Sequence, residues 1–239
     1  QNIVDSDVSC CGADSTYVRA TGTGSVIDLS SLSTFDNASP NLGELTVNTG
    51  GELRVPMLTT ANGVLLRRSG TGTLPISQLT EFTEGRMELA GQAYAFTNLT
   101  NATGTEVVLA DSAASIDLSQ LTTIQNGSLE LSNGATAAVP LLSNINGANL
   151  LVSGGITLSL TSVTSYTHTS GTVRDDAVIQ ATGAGSIIDL QNVTSITNGV
   201  GGADRIGIFA MTGGVVDLRS VQNIVDSDMS CCGADSTYV

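Results

Sequence analysis

The stretch Ser-Ile-Asp-Leu-Ser-Gln-Leu-Thr-Thr-Ile-Gln-Asn-Gly, residues 115–127, decides the fold. Its apolar residues lie first at alternate positions, Ile116 and Leu118, and then at two steps of three, Leu121 and Ile124. Strict alternation is typical of a strand with one buried face. The wider step predicts a corner, at which the chain turns while its apolar side chains still point inward.

This pattern of four apolar positions recurs nine times with constant internal spacing. Its second position falls at residues 29, 55, 76, 96, 118, 139, 160, 190 and 218. A second alternating pair, such as Leu45 and Val47, precedes several copies across a Gly-containing corner. A unit of 20–32 residues cannot bury such a stripe alone and has to stack on its neighbours. The sequence therefore predicts an all-β fold, a single-stranded parallel β-helix (β-solenoid) of about nine coils.

The two ends of the chain carry the same segment. Residues 1–18 and 222–239 differ only in Val8 and Met229, and their offset of 221 residues equals the total of the nine steps. We expect residues 1–239 to form one continuous β-solenoid, in which 1–18 and 222–239 are equivalent segments of successive 221-residue superrepeats. The chain would then be an excerpt of a tandem array, and copies would associate end to end and also side by side.

The motif at residues 115–127 resembles the repeats of large bacterial cell-surface and adhesin-like proteins that are built on right-handed parallel β-helices. The resemblance covers most of the chain, and it implies a structural or adhesive role outside the cell, with surface glycans among the partners. Leucine-rich repeats are the competing interpretation. Their Asn ladder is absent, because the corresponding position after Leu29, Leu118 and Leu160 holds Leu or Val.

The charge is strongly one-sided, with 22 Asp and Glu against eight basic residues, all of them Arg, and a formal net charge of −14. A basic surface that could follow phosphates is absent, so nucleic acid is not an expected partner. No apolar run approaches the roughly 18 residues of a spanning helix, so we expect no membrane insertion of this segment. The abundance of Ser, Thr and Asn and the paired cysteines favour an extracellular or cell-surface location.

Oxygen ligands alternate in the duplicated segment, at Asp5 and Asp7 and again at Asp226 and Asp228. Hard cations such as calcium prefer carboxylate and carbonyl oxygens at short range, so these four residues are the candidate metal ligands. The EF-hand pattern is not met, because Cys10 stands where the loop needs Gly and Thr16 where it needs Glu. Calcium is thus a possible cofactor, and no other is expected.

The four cysteines, Cys10, Cys11, Cys231 and Cys232, lie in the duplicated segment. Nine coils at about 4.8 Å each would separate the two pairs by about 43 Å along a rod, too far for a disulfide between them. A bond within each pair, free thiols, metal binding and bonds to a neighbouring rod stay open. In an extracellular fibre, oxidised and cross-linking cysteines are the favoured alternative.

The longest steps are consecutive, so their extra residues should stack into one ridge. This ridge contains His168 and the Arg174–Asp176 segment, where a carbohydrate-active β-helix enzyme or a carbohydrate-binding module would have its site. Neighbouring residues of a strand point to opposite faces, which disfavours a catalytic pair at Asp175 and Asp176. The preferred hypothesis is a structural and adhesive extracellular rod or fibre without catalysis.

Overall fold

The structure, a computed structural model, describes residues 1–5, 15–169, 176–199 and 205–227, and the backbone of residues 236–238. These residues form strands and turns without a helix. The strands are β1 (Asn2–Asp5), β2 (Tyr17–Thr21), β3 (Val26–Asp28), β4 (Thr34–Asn37), β5 (Gly43–Asn48), β6 (Glu52–Arg54), β7 (Thr60–Asn62), β8 (Val64–Arg68), β9 (Glu81–Thr83), β10 (Arg86–Leu89), β11 (Ala93–Ala95), β12 (Glu106–Leu109), β13 (Ser115–Asp117), β14 (Ser128–Leu131), β15 (Thr136–Ala138), β16 (Asn149–Ser153), β17 (Thr157–Ser159), β18 (Ser165–His168), β19 (Asp176–Thr182), β20 (Ile187–Asp189), β21 (Ser195–Asn198), β22 (Arg205–Met211), β23 (Val215–Asp217), β24 (Asn223–Asp226) and β25 (Ser236–Tyr238).

One ten-stranded parallel sheet, called here the long sheet, runs through the molecule in the order β2-β5-β8-β10-β12-β14-β16-β19-β22-β25. When the register partner of Tyr17 is followed through the nine strand pairings, the last partner is Tyr238, which pairs with Gly207 of β22. Tyr17 and Tyr238 are equivalent residues of the duplicated segment. The pairing register of the long sheet therefore returns to the same sequence position after 221 residues.

Two further faces are formed by shorter parallel sheets, again between strands that follow one another at intervals of about one motif. One face carries β3-β6, β11-β13-β15 and β17-β20-β23, and the other carries β1-β4-β7-β9 and β18-β21-β24. Isolated parallel bridges continue the second face from Glu81 through Asn101 and Thr123 to Asn144, and Gly147 N then donates to Thr167 O of β18 at 2.9 Å. Each repeat of the motif thus contributes one row of up to three short segments.

The predicted corner within the motif is confirmed in all nine copies. In each copy the backbone N–H of the third apolar residue donates a hydrogen bond to the carbonyl of the second, as from Leu121 to Leu118 at 2.9 Å and from Val193 to Leu190 at 3.0 Å. Such a bond between residues three apart closes a tight turn. Both apolar side chains stay on the inward side, because the turn changes the direction of the chain without reversing the inward face.

The core is one cluster of aliphatic side chains with a few aromatic rings, and it receives the inward residues of all three faces. The four motif positions are buried in most of the middle rows, for example Ile116, Leu118, Leu121 and Ile124, although Ala137 is partly buried. In the first and last rows several inward positions are less completely buried. These are the partly buried Ile27, Leu29, Val216, Leu218 and Val221 and the exposed Ile224.

Rows at either end of the described chain have a neighbour on one side only, which explains their incomplete burial. The same residue types become fully buried as soon as a row lies on both sides. The all-β architecture of stacked parallel strands is compatible with the predicted β-solenoid.

Candidate functional site

Part of the predicted site lies outside the described residues. This holds for Asp7 and Asp228, for the four cysteines Cys10, Cys11, Cys231 and Cys232, and for Arg174 and Asp175. Of the four candidate metal ligands, Asp5 and Asp226 are described, and they occupy equivalent places at the ends of β1 and β24. Asp5 is partly buried and Asp226 is exposed.

Asp5 and Asp226 belong to one register position that repeats through the molecule, called here the corner position. It is the point at which each row leaves the second face for the long sheet. In five consecutive rows the chain enters the long sheet within two residues, and the corner residue has a left-handed backbone. These lean corners are Gly63 (φ 63°), Glu84 (φ 50°), Gly104 (φ 66°), Asn126 (φ 57°) and Gly147 (φ 67°).

In the remaining rows five or more residues separate the corner from the long sheet, a connection that is fully described only between Asn37 and Gly43, and the corner residue is polar and lies at an inward position. These looped corners are His168, Asn198, Asp226 and, at the other end of the chain, Asp5 and Asn37. His168, Asn198 and Asn37 are 2%, 0% and 3% exposed. Buried polar side chains of this kind are stable only when they are hydrogen-bonded.

The Asn37 side chain explains what a looped corner does. Its Nδ2 atom donates to the carbonyl of Asn41 at 2.7 Å, where the loop ends, and to the carbonyl of Gly63 in the next row at 3.0 Å. Asp5 acts similarly, because its Oδ2 atom accepts a hydrogen bond from the Thr16 hydroxyl at 3.2 Å, across the start and end of the loop. The polar corner residue thus ties the two ends of its loop together.

The buried position of His168 bears on the alternative prediction, a site of a carbohydrate-active enzyme. His168, which the sequence placed in a solvated ridge, is the last residue of β18 and points into the protein. Asp176 is the exposed first residue of β19. The imidazole is therefore buried at a corner position, and the described residues do not bring it into a surface cluster with carboxylates.

An ionic ladder on the outer face of the long sheet was not predicted from the sequence. Arg19 Nη2 lies 2.9 Å from Glu44 Oε1, Arg67 Nη2 lies 2.6 Å from Glu88 Oε2, and Arg86 bridges Glu88 and Glu106. The partners come from neighbouring strands, β2 with β5, β8 with β10, and β10 with β12, so the ladder depends on register.

Two acids of this ladder, Glu44 and Glu88, have a lowered pKa. Burial acts to raise the pKa of Glu44, but hydrogen bonds from Thr46 and Arg19 outweigh it and the pKa is lowered. In Glu88, burial again acts to raise the pKa, and hydrogen bonds from Arg86 and Arg67 lower it overall. The ladder thus covers the first half of the long sheet with paired charges.

Two outward acids outside the long sheet, Asp28 of β3 and Asp217 of β23, are also accompanied by arginine. Asp217 pairs with Arg219, and Asp28 lies 3.6 Å from Arg54 Nη1. The pKa of Asp217 is lowered by its hydrogen bond from Arg219, and that of Asp28 chiefly by its hydrogen bonds from Ser30. These two ion pairs were not predicted from the sequence.

Open grooves rather than enclosed cavities mark the described surface. The groove of about 510 Å³ over β11, β13 and β15 is lined mainly by Ala, Ser and Thr, and Asp117 is its one carboxylate. None of the described residues forms a helix that is long and apolar enough to cross a lipid bilayer.

Comparison with family models, curated proteins and solved structures gave no significant match to the chain.

Proposed function

We propose that this protein is a structural rod, a single-stranded parallel β-solenoid with nine coils in each 221-residue superrepeat, whose superrepeats stack end to end. It would provide length and stiffness outside the cell and present a surface there, including one that adheres to surface glycans. The proposal needs no catalytic residue and no nucleic acid or membrane partner.

The observation that carries the proposal concerns the two copies of the strand Asn-Ile-Val-Asp. One copy pairs with the row that follows it, and the other copy pairs with the row that precedes it. As β1 it pairs with the following strand β4, and Ala38 N donates to Asp5 O at 2.8 Å. As β24 it pairs with the preceding strand β21, and Ser227 N donates to Asn198 O at 3.0 Å. Together the two copies describe a central strand with both edges satisfied, as a continuous stack requires.

The end rows are complementary when they are placed in the register that the duplicated segment implies. Val215, Val216 and Asp217 of one superrepeat would then face Val26, Ile27 and Asp28 of the next. Val215 and Val26 are 47% and 46% exposed. Stacking would bury these apolar groups, and burial of apolar surface is favourable by about 25 cal/mol per Å².

The ends also match on the outer face of the long sheet. Continuing the register of β22 by one row places the residue equivalent to Arg19 beside Phe209, which is 38% exposed. An arginine over an aromatic ring contributes a cation–π attraction of about 0.5–1 kcal/mol at an exposed site. The contact would extend the ionic ladder across the junction.

The proposal is tested by the axial repeat of a protein with three or more superrepeats. Nine rows at about 4.8 Å predict a repeat of about 43 Å per superrepeat, in electron micrographs or in fibre diffraction, with a strong meridional 4.8 Å reflection. A three-superrepeat protein should be about 43 Å longer than one with two. Compact particles whose length does not grow with superrepeat number would contradict the rod.

A further inference from the structure

We propose that Asn133 is a modification site, at which the folded protein undergoes spontaneous deamidation while its other Asn-Gly pairs are protected. In this reaction the backbone nitrogen of the residue after asparagine attacks the side-chain amide carbon. The reaction takes place within a single chain and does not depend on end-to-end association.

Five Asn-Gly pairs occur in the sequence, at Asn62, Asn126, Asn133, Asn146 and Asn198. Glycine after asparagine favours the reaction, because glycine has no Cβ atom to hinder the approach of its nitrogen to the amide. The nucleophile is this nitrogen after loss of its proton. An N–H that donates a hydrogen bond keeps its proton and is held in place, so the partner of each glycine N–H decides which pair reacts.

Four of the five glycine N–H groups donate to a backbone carbonyl. These bonds run from Gly63 to Thr83 at 2.9 Å, from Gly127 to Ile124 at 2.9 Å, from Gly147 to Thr167 at 2.9 Å and from Gly199 to His168 at 2.7 Å. The N–H of Gly134 makes no hydrogen bond to the backbone of the described residues. Within that part of the chain, Asn133 therefore precedes the one glycine of these pairs whose N–H is unpaired.

The type of turn explains why the Gly134 N–H is left over. Asn133 and Gly134 both have a left-handed backbone, with φ values of 54° and 86°. Ala135 N donates to Ser132 O at 3.1 Å and closes the turn around them. A positive φ at both central residues is the mark of a type I′ turn. In such a turn the closing bond comes from the fourth residue, so the N–H of the third residue has no partner.

The surroundings of the turn leave the Gly134 nitrogen accessible. Asn133 and Gly134 are both exposed. Gly154 of the next row lies beside them, and a Cβ atom at Gly154 would lie 3.6 Å from the Gly134 nitrogen. Because Gly154 has no side chain, base and water can reach the Gly134 N–H from this side.

Water is the only co-reactant that the conversion needs. Base removes the Gly134 N–H proton, the nitrogen forms a bond to Asn133 Cγ, and the original amide nitrogen takes up a proton and leaves as ammonia. Water then opens the resulting succinimide ring to aspartate or isoaspartate. Either product adds a negative charge and loses the bond that Asn133 Nδ2 donates to Ala110 O of the preceding row at 3.1 Å.

The experiment incubates the folded 239-residue protein at mildly alkaline pH and follows deamidation by peptide mass spectrometry. Cleavage after Glu130 places Asn126 and Asn133 on different peptides. Asn126 is the matched control, because it is also exposed and left-handed, at φ 57°, but the N–H of its glycine is bonded to Ile124 O. We expect Asn133 to convert at least about fivefold faster than Asn126, since that bond has to open first.

Denaturant separates the effect of the turn from that of the local sequence. Both glycine N–H groups are released in the unfolded chain, so the rates at Asn133 and Asn126 should then agree within about twofold. Asn133→Gln should abolish the fast conversion of the folded protein, because a glutamine side chain has to close a larger ring. Equal rates at the two asparagines in the folded protein, or a difference that persists unchanged in denaturant, would overturn the proposal. Neither outcome changes the axial repeat that tests the rod.

Discussion

The lean corners and the looped corners solve one geometric problem in two ways. At a lean corner such as Gly63, a left-handed backbone turns the chain directly into the long sheet. At a looped corner such as Asn37, the backbone leaves the row, and a buried amide ties the two ends of the loop together. The first solution depends on backbone conformation and the second on a side chain, so the two should respond to different mutations.

The two kinds of corner also touch each other. Gly63 follows Asn37 in the register, and a Cβ atom on Gly63 would lie 2.2 Å from the Asn37 carbonyl oxygen. At the boundary between lean and looped rows, the fold therefore depends both on the left-handed backbone of Gly63 and on the side chain of Asn37.

The largest effect is expected for Gly63→Ala. The substitution would place a Cβ against backbone at a positive φ, and we expect it to lower the free energy of unfolding by about 3 kcal/mol. The control is Gly24→Ala, which has a similar positive φ but no atom within 4 Å of the added Cβ and should cost about 1 kcal/mol. Chemical denaturation measures the free energy of unfolding of both variants. Equal losses would show that the close contact at Gly63 does not contribute.

Asn37→Leu tests the looped corner and should cost about 2 kcal/mol. The carbonyls of Asn41 and Gly63 would each lose a bond from Nδ2, and a hydrogen bond of this kind contributes about 0.5–1.5 kcal/mol. Asp36→Ala, at an outward position of the same strand, is the control and should cost less than about 0.5 kcal/mol. An Asn37→Leu protein as stable as its parent would mean that the amide does not anchor the loop.

Acid should weaken the half of the long sheet that carries the ionic ladder. The pKa values of Glu44 and Glu88 are lowered in the folded state, so their contribution is present above the ordinary pKa of about 4.5 and is lost as the pH falls below it. Glu88→Gln should remove about 1 kcal/mol at pH 7 and reduce the loss of melting temperature between pH 7 and 3.5. Glu130→Gln, at a position without an ion pair among the described residues, is the control.

The smallest effect is a gain at a lean corner that lacks glycine. Glu84 adopts φ 50°, a conformation that costs a non-glycine residue about 1–2 kcal/mol, while glycine adds chain entropy to the unfolded state. We expect Glu84→Gly to raise stability by about 0.5 kcal/mol, measured as a small rise in the denaturation midpoint. A clear loss would indicate that the Glu84 side chain, which lies against Gly104, contributes more than its backbone strain costs.

The sequence was sufficient for the features that are periodic and local. The spacing at Ile116, Leu118, Leu121 and Ile124 predicted the strand, the corner and the inward face, because burial on one side of a stacked row leaves a regular apolar pattern. The same spacing places Ile224 on the inward face, and it is 46% exposed because no row follows it in the described chain.

Features that depend on register between rows were not predictable in the same way. The pairing of Arg19 with Glu44 joins residues 25 apart, and the step between rows varies, so their contact follows only once the strands are aligned. The inward orientation of His168 was missed because a polar residue at the end of a strand looks like the start of a loop. The available sequence signal for the inward orientation was that a polar residue recurs at the corner position before each long connection to the next strand.

Because most of the extra length of the long rows lies at one corner, stacking would give the rod a banded surface. Four looped rows, about 19 Å, would alternate with five lean rows, about 24 Å, along one side, while the other corners differ little from row to row. Each band shares the same aliphatic interior with its neighbours. Loop sequences could therefore be exchanged between bands without rebuilding the interior, and binding groups attached there would be displayed at intervals fixed by the backbone.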